Sequence, residues 1–280
     1  MGAETVELRL GGRPVAAYVI DPDLDAKHGP RPYLHPVHTL AGVPVTDALP
    51  EDHVWHLGAS LAVQDVSGTN LWGGRTYVRD AGYTWLDDHG RIAHLDWVER
   101  ADDRLVHRLA WQDRAGETLL HEERLLAAQP VAGRADAWAL DVAYTLTAPA
   151  DRDISLGSPA TNGRPGGTGY GGFFWRAAPG PAAPEVFSAD HAGEDDVNGS
   201  TEAWVALVGP AYTLIFTGLG EGDHWFVRAS MYPGVCAAFA FDRPRLVAAG
   251  ASLLGQHRVL VADGRLDRTG VTDLLAAALP

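Results

Sequence analysis

The sequence predicts an all-β protein: a single-domain antiparallel β-sandwich that ends in a short C-terminal helix. Three observations predict this fold class. Apolar and polar residues alternate with a period of two in most segments, as in strands that bury one face. Turn-forming residues separate these segments at short intervals, as in sandwiches, and the long helices of βαβ units are missing. The 32 glycines and 18 prolines are spread over 280 residues without a linker or repeat, so we expect one domain over residues 1–280.

The first two strands are expected to form a hairpin. Val6, Leu8 and Leu10 alternate with charged neighbours, and the turn Gly11–Arg13 leads into a second apolar run, PVAAYVI. Apolar alternation on both sides of a glycine turn is typical of paired antiparallel strands.

A long connection over the sheet is expected from Arg31 to Gly74, because Pro36, Pro44 and Pro50 interrupt any strand ladder. Residue 35 precedes a proline and should be extended.

Three neighbouring strands are predicted in the middle of the chain. Residues 104–113 and 117–128 flank a turn at Asp113–Gly116, and residues 138–148 follow. The last of these segments alternates strictly, which places five apolar side chains on one face: Trp138, Leu140, Val142, Tyr144 and Leu146.

Further strands are expected in the second half of the chain, at WVALVG, YTLIFTGL, HWFVRASM, CAAFAFDR and SLLGQHRVLVAD. The tail from Thr269 to Leu279 has a helical composition, with Thr269 as the expected N-cap. A supersandwich like that of galactose-mutarotase-like proteins is one form that the predicted sandwich can take.

Composition excludes several classes of function. The formal net charge is −14, with 36 acidic and 22 basic residues, so neither nucleic acid nor an anionic membrane is expected as a partner. The single cysteine, Cys236, excludes an internal disulfide and a cysteine-rich zinc site, and its apolar surroundings predict burial. The chain has no run of eighteen apolar residues and its start lacks the features of a signal peptide, so we expect a cytoplasmic protein that binds a small molecule.

The long connection contains the densest group of functional side chains. Its run PEDHVWHLG places His53 and His56 three residues apart, so a helical turn after Pro50 would bring the two imidazoles to one side. Asp52 is then positioned to fix an imidazole tautomer, and we expect these residues to be catalytic. With His35 they would also suit Zn, Mn or Fe, which is an alternative hypothesis.

Two other segments are expected to complete the site. The strand period puts Glu122 and Glu123 on opposite faces, and we take Glu123 as the candidate acid or base, against the alternative of a surface Glu–Arg ladder. The glycine-rich segment 161–176 is interpreted as a wide binding loop with stacking faces and hydrogen-bond donors. The candidate substrate-binding residues of this segment are Arg164, Tyr170, Trp175 and Arg176, and those of the long connection are His35, Asn70 and Trp72.

The sequence resembles a soluble bacterial family that carries the label "methane oxygenase PmoA". Typical members have a P-x-DH-x-x-H-x-G core followed by an Asn or Asp and a Trp. The matching positions here are Pro50, Asp52, His53, His56, Gly58, Asn70 and Trp72. The label implies a subunit of a membrane copper monooxygenase, which the absence of an apolar span contradicts. The resemblance implies instead a role beside enzymes of sugar metabolism.

Two classes of function follow. The first is an enzyme that acts on a sugar or an oxidised, keto form of a sugar by acid–base chemistry, as a lyase, epimerase or hydrolase. The second is a noncatalytic carbohydrate-binding or accessory protein that uses the same groups only as contacts. The sequence has no G-x-S-x-G, H-E-x-x-H or C-x-x-C motif, and it leaves the oligomeric state open.

Overall fold

A computed structural model describes residues 4–278, and nearly all of its regular structure is β-strand. Its strands in chain order are β1 (Thr5–Leu10), β2 (Arg13–Val19), β3 (Tyr33–Val37), β4 (Ala59–Ala62), β5 (Asp65–Val66), β6 (Thr76–Val78), β7 (Gly82–Thr84), β8 (Arg91–Arg100), β9 (Arg104–Gln112), β10 (Thr118–Pro130), β11 (Ala137–Thr147), β12 (Ile154–Gly157), β13 (Gly172–Arg176), β14 (Glu185–Phe187), β15 (Trp204–Val208), β16 (Tyr212–Thr217), β17 (His224–Arg228), β18 (Gly234–Ala238), β19 (Arg245–Val247) and β20 (Ser252–Asp263). The helices are α1 (Glu194–Val197), α2 (Arg268–Ala278) and a 3-10 turn (Ala26–His28).

Two large antiparallel sheets form the framework. The seven-stranded sheet has the order β1-β2-β3-β4-β13-β18-β17, and the eight-stranded sheet has the order β14-β15-β16-β20-β11-β10-β9-β8. Two smaller sheets, β19-β12-β5 and the hairpin β6-β7, lie beside them. The predicted all-β class and the antiparallel pairing are therefore confirmed, including the opening hairpin of β1 and β2.

The main hydrophobic core lies between the two large sheets. Its buried residues come from both sheets: Leu8 and Trp175 belong to the seven-stranded sheet, and the whole predicted apolar face of β11 belongs to the other. A sheet buries its apolar face against another element, and alternation therefore places the polar residues of β11 on the opposite side.

The eight-stranded sheet corrects the prediction for the two glutamates of β10. Glu122, not Glu123, points into the core, where its carboxylate binds Arg124 at 2.6 Å with both side chains almost fully buried. The side chain of Glu123 is 55% exposed and lies near Arg108 on the outer face. The alternation along the strand correctly predicted that one of the two carboxylates points inward. The register with β9 and β11 determines that this carboxylate is Glu122.

The predicted C-terminal helix is present as α2, and it packs on the outer face of the eight-stranded sheet. Val271, Leu274 and Leu275 are its buried residues. The helix starts one residue before Thr269, so the predicted N-cap is wrong: the carboxylate of Asp267 accepts the hydrogen bond from the backbone N–H of Gly270 instead. Leu279, the predicted last residue, lies outside the described residues. No helix within residues 4–278 has the length and hydropathy needed to span a bilayer.

Candidate active site

A second apolar layer covers the outer face of the seven-stranded sheet. It contains Phe174 from β13, Phe226 from β17 and the buried Cys236 from β18. Burial raises the pKa of the Cys236 thiol to about 12, in keeping with the predicted packing role. Trp72 and Tyr170 lie on this layer, with ring centroids 4.6 Å apart, and with Phe226 they form the floor of a pocket.

This histidine pocket has a volume of about 420 Å³ and is enclosed by the segments around Asp52–His56, Arg75–Trp85 and Arg228–Tyr232. A larger groove of about 930 Å³ lies near Asp21 and Arg91, but no Trp, Tyr or Phe lines it. Ligand sites combine apolar, commonly aromatic, surfaces with a few polar groups aimed at one point. The histidine pocket has this combination, and we regard it as the candidate site.

Two successive turns between β3 and β4 present the pair of histidines. The backbone N–H of His53 bonds to the carbonyl of Pro50 at 3.0 Å, and that of His56 bonds to the carbonyl of His53 at 2.8 Å. The two imidazole rings stack with centroids 4.8 Å apart. The predicted juxtaposition of His53 and His56 is therefore present, although these turns do not continue into a helix.

The environment of His56 holds it neutral. Arg176 donates a hydrogen bond to Nδ1 at 3.2 Å, which leaves the ring proton on Nε2. Burial, together with the positive charge of Arg176, lowers the pKa of His56 well below its usual value. Because His56 lines the pocket, its Nε2–H is positioned to donate a hydrogen bond to a ligand.

His53 is the more accessible imidazole, and Asp52 orients it. Asp52 Oδ2 lies 2.7 Å from Nδ1 of His53, and this hydrogen bond holds the pKa of the Asp52 carboxyl below its usual value. Accepting the Nδ1 proton fixes the tautomer in which Nε2 carries the free lone pair. His53 is therefore equipped to accept a proton, and its neighbour His56 to donate a hydrogen bond.

Another wall of the pocket is formed by the hairpin β6-β7 together with residue 164. The hydroxyls of Tyr83 and Tyr170 are 2.9 Å apart, and Arg164 donates to the hydroxyl of Tyr83. Burial raises the pKa of Tyr170 well above its usual value, as does the neighbouring Tyr83. Arg164, Tyr83 and Tyr170 all line the pocket, and the chain of hydrogen bonds continues to Gln64, which donates to the hydroxyl of Tyr170 at 3.0 Å.

Arg31 holds two walls of the pocket from below. Its fully buried guanidinium donates to the backbone carbonyls of Trp55 at 3.0 Å, Trp72 at 2.9 Å and Gly29 at 2.8 Å. Gly74 contributes to the same arrangement, because a Cβ at its left-handed position would lie 2.5 Å from the ring of Trp55. Arg31 is thus a positioning residue that acts through Trp55 and Trp72.

Arg31→Met is expected to lower the free energy of unfolding by roughly 1–3 kcal/mol, because three buried carbonyls lose a charged donor while the cost of burying that charge is removed. The near-ultraviolet circular dichroism of the tryptophans should change as well. Urea unfolding measures the first effect, and near-ultraviolet spectra of the folded proteins measure the second. The control for both is Arg13→Met, which changes an exposed arginine of β2. Equal stability of the two variants would contradict the positioning role.

Five of the predicted site residues do not line the pocket; Arg176 lies behind His56, and the other four lie elsewhere. The glycine-rich segment forms strand β13 rather than a loop at its end, so alternation sends Trp175 into the core between the sheets, where it donates to the carbonyl of Val45. Asn70 is fully buried, and its Oδ1 accepts from the backbone N–H groups of Trp72 and Gly73. His35, on β3, bonds to the hydroxyl of Thr46, and Glu123 lies on the other sheet. None of these residues lines the pocket, so their predicted contact with a ligand stays a prediction without support from this cavity.

The predicted residues that do converge are Asp52, His53, His56, Trp72, Arg164 and Tyr170, which line the pocket, with Arg176 behind His56. Sequence reasoning missed Arg75, Tyr83, Trp85, Arg228 and Tyr232. These belong to no motif. The available signal was the run of aromatic residues in GYTW just after Arg75 and Arg79, in a short hairpin pattern.

The metal hypothesis required His35 beside His53 and His56. His35 is turned away from the pocket, toward Thr46. Within residues 4–278, no three His, Cys, Asp or Glu side chains are grouped so that they could hold a metal ion. The described residues therefore do not fit the predicted metal site.

The fold and the site define an all-β protein with a histidine, arginine and aromatic pocket on the outer face of one sheet. The chain belongs to the family of unknown function DUF6807, whose model matches residues 5–276. That description contains no reference to methane oxygenases. No curated protein matches the sequence.

Among solved structures, the chain is similar to an Escherichia coli K12 protein provisionally assigned as an aldose 1-epimerase, solved at 1.59 Å resolution. The two share 14% sequence identity, with 95% of this chain and 100% of the other covered and a TM-score of 0.43.

Proposed function

We propose that the protein is an enzyme that moves a proton at a carbon next to a carbonyl group of a sugar or of an oxidised, keto form of a sugar. The observation that carries this proposal is the arrangement of Asp52, His53 and His56 above an aromatic floor. A proton acceptor with an oriented tautomer stands beside a neutral hydrogen-bond donor, and such a pair serves acid–base catalysis.

The lining of the pocket supports a sugar as ligand. A sugar ring has apolar C–H faces that pack on aromatic rings and hydroxyls that need directional partners. Trp72 and Phe226 offer the rings, while Arg164 and the histidines offer polar groups. The volume of about 420 Å³ suits a ligand of one or two sugar rings, given that small-molecule pockets measure about 300–1,000 Å³.

The chemistry follows from the two tautomers. Nε2 of His53 accepts the proton from the carbon, and its imidazolium is stabilised by Asp52. The Nε2–H of His56 donates a hydrogen bond to the carbonyl oxygen, on which negative charge develops as the C–H bond breaks. Loss of a leaving group from the next carbon, with the proton that His53 has taken, gives an unsaturated product. Epimerisation requires in addition a second group that delivers a proton to the opposite face of the carbon.

A lyase or epimerase agrees better with this site than a glycoside hydrolase does. The common hydrolytic mechanisms use two carboxyl groups, one on each side of the bond that is cleaved. Of the described residues that line the pocket, only Asp52 has a carboxylate, and it is bonded to His53. We therefore propose elimination or epimerisation as the reaction class.

Proton NMR in D₂O with a panel of sugars and 3-keto sugars tests this proposal. The expected result is deuterium at the carbon next to the carbonyl, or a new product, for at least one compound that binds. Binding without exchange or turnover would contradict the enzymatic part and indicate a carbohydrate-binding protein. Failure of every sugar to bind would contradict the proposal as a whole.

A further inference from the structure

The histidine pocket is cationic although the protein is acidic. Three arginines line it, namely Arg75, Arg164 and Arg228, against the single carboxylate of Asp52. The whole chain has 36 acidic and 22 basic residues. A local excess of one charge sign in a cleft focuses the electrostatic potential and concentrates ligands of the opposite sign.

The arginines around the pocket differ in their partners. Arg228 lies 3.7 Å from the carboxylate of Glu194, and Arg176, behind His56, lies 3.5 Å from Asp47. Across the described part of the chain, residues 4–278, no carboxylate lies within 4.0 Å of the guanidinium of Arg75 or Arg164. These two cations are thus available to a ligand.

Aromatic rings of the hairpin β6-β7 hold both free guanidinium groups at the pocket. The guanidinium carbon of Arg164 lies 4.8 Å from the ring centroid of Tyr83, and that of Arg75 lies 5.9 Å from that of Trp85. A guanidinium over an aromatic face loses less side-chain entropy when it binds a planar oxyanion. Arg164 donates one N–H to the hydroxyl of Tyr83, and its other N–H groups remain for a ligand. The hairpin therefore presents two preorganised anion-binding groups.

We infer that the ligand is an anionic sugar derivative whose oxyanion group, a carboxylate or a phosphate, is bound by Arg75 and Arg164. This inference rests on the proposed sugar site and names its substrate class. The oxyanion lies at the hairpin wall, while the reacting carbon faces His53 and His56. Neutralising a carboxylate or phosphate in this way also favours removal of a nearby proton, since the arginines offset the charge that develops.

Isothermal titration with sugars matched in ring but not in charge tests the inference. The ligands are glucose, glucuronate and glucose 6-phosphate, with acetate and inorganic phosphate as sugar-free anions, each at low and high NaCl. The protein variants are Arg75→Gln and Arg164→Gln, with Arg13→Gln as the matched loss of an exposed charge outside the pocket.

An acidic sugar should bind more tightly than glucose to the unmodified protein, and more weakly at high salt. Each pocket variant should lose about tenfold or more in affinity for it, because a hydrogen bond to a charged group is lost. Arg13→Gln should leave the affinity unchanged. Preference for glucuronate identifies a carboxylate as the bound group, and preference for glucose 6-phosphate identifies a phosphate.

The other outcomes separate this inference from the proposed function. Equal affinity for glucose and both acidic sugars, unchanged in Arg75→Gln and Arg164→Gln, would overturn the anionic substrate and leave the sugar site intact. Binding of acetate or phosphate that depends on Arg75 and Arg164, without binding of any sugar, would support the oxyanion site and contradict the sugar proposal.

Discussion

Glu122→Gln is expected to lower the free energy of unfolding by about 3–5 kcal/mol, because it leaves the buried guanidinium of Arg124 without a counter-charge. Glu122 binds Arg124 through both oxygens, at 2.6 and 2.8 Å, and also accepts from the indole of Trp111. Burial alone would lower the pKa of Arg124, but the adjacent Glu122 outweighs it and raises that pKa.

The neighbouring residue provides a matched control for this prediction. Glu123→Gln makes the same chemical change one position along β10, on an exposed side chain, and should change the stability by less than about 0.5 kcal/mol. Urea unfolding followed by circular dichroism measures both variants. The double variant Glu122→Leu with Arg124→Met should recover most of the loss, since well-packed apolar residues commonly replace a buried ion pair without net cost. Equal stability of the two single variants would refute the buried-pair interpretation.

This pair of glutamates shows what the sequence alone could and could not predict about the fold. Alternation in TLLHEERLLAA identifies a strand with two faces, because side chains of a strand point to opposite sides. Both faces contain two leucines and a glutamate beside a basic residue, Arg124 on one face and His121 on the other, so the local pattern does not say which face is buried. The answer depends on the register with β9 and β11, which involves residues distant in sequence.

Strand β13 shows a similar limit. Its glycine-rich approach suggested a loop throughout, because glycine is typical of irregular segments. In the structure, β4 and β18 pair with Gly172–Arg176 on both sides. Pairing on both edges fixes the alternation, so Arg176 reaches His56 while Trp175 enters the core. Tertiary pairing, rather than local propensity, decided the roles of these two neighbours.

The candidate site also combines residues that local sequence could predict with residues that it could not. His53 and His56 are three residues apart in one segment, so a local turn was enough to predict that their side chains meet. Arg75, Trp85 and Tyr232 reach the pocket only because the hairpin β6-β7 and the chain after β17 fold over the same sheet. The spacing of His53 and His56 was enough to predict the histidine wall of the pocket. The wall that contains Arg75 and Trp85 depends on packing between segments distant in sequence, which no motif indicates.

His53→Ala is expected to slow deuterium exchange or turnover of a substrate by about 10²- to 10⁴-fold, which is the usual contribution of a positioned acid–base residue. The affinity for the substrate should change far less, because the aromatic floor and the arginine wall stay in place. Exchange rates by NMR and affinities by titration, measured on the same variant, separate the two effects. His121→Ala, which removes an exposed histidine of β10, should change neither.

Asp52→Asn should have a smaller effect of the same kind, about tenfold, because an amide can still accept the Nδ1 proton of His53 but no longer stabilises its imidazolium. The side chain of Asp52 is 61% exposed, so solvent screens much of its charge. We expect the exchange rate to be lowest in His53→Ala, higher in Asp52→Asn and highest in the unmodified protein. This order indicates that His53 accepts the proton with support from Asp52, and that the two residues are not merely contacts that hold the ligand. If both variants lost affinity in proportion to rate, His53 and Asp52 would be contacts that hold the ligand, and proton transfer would have to be assigned to another group of the pocket.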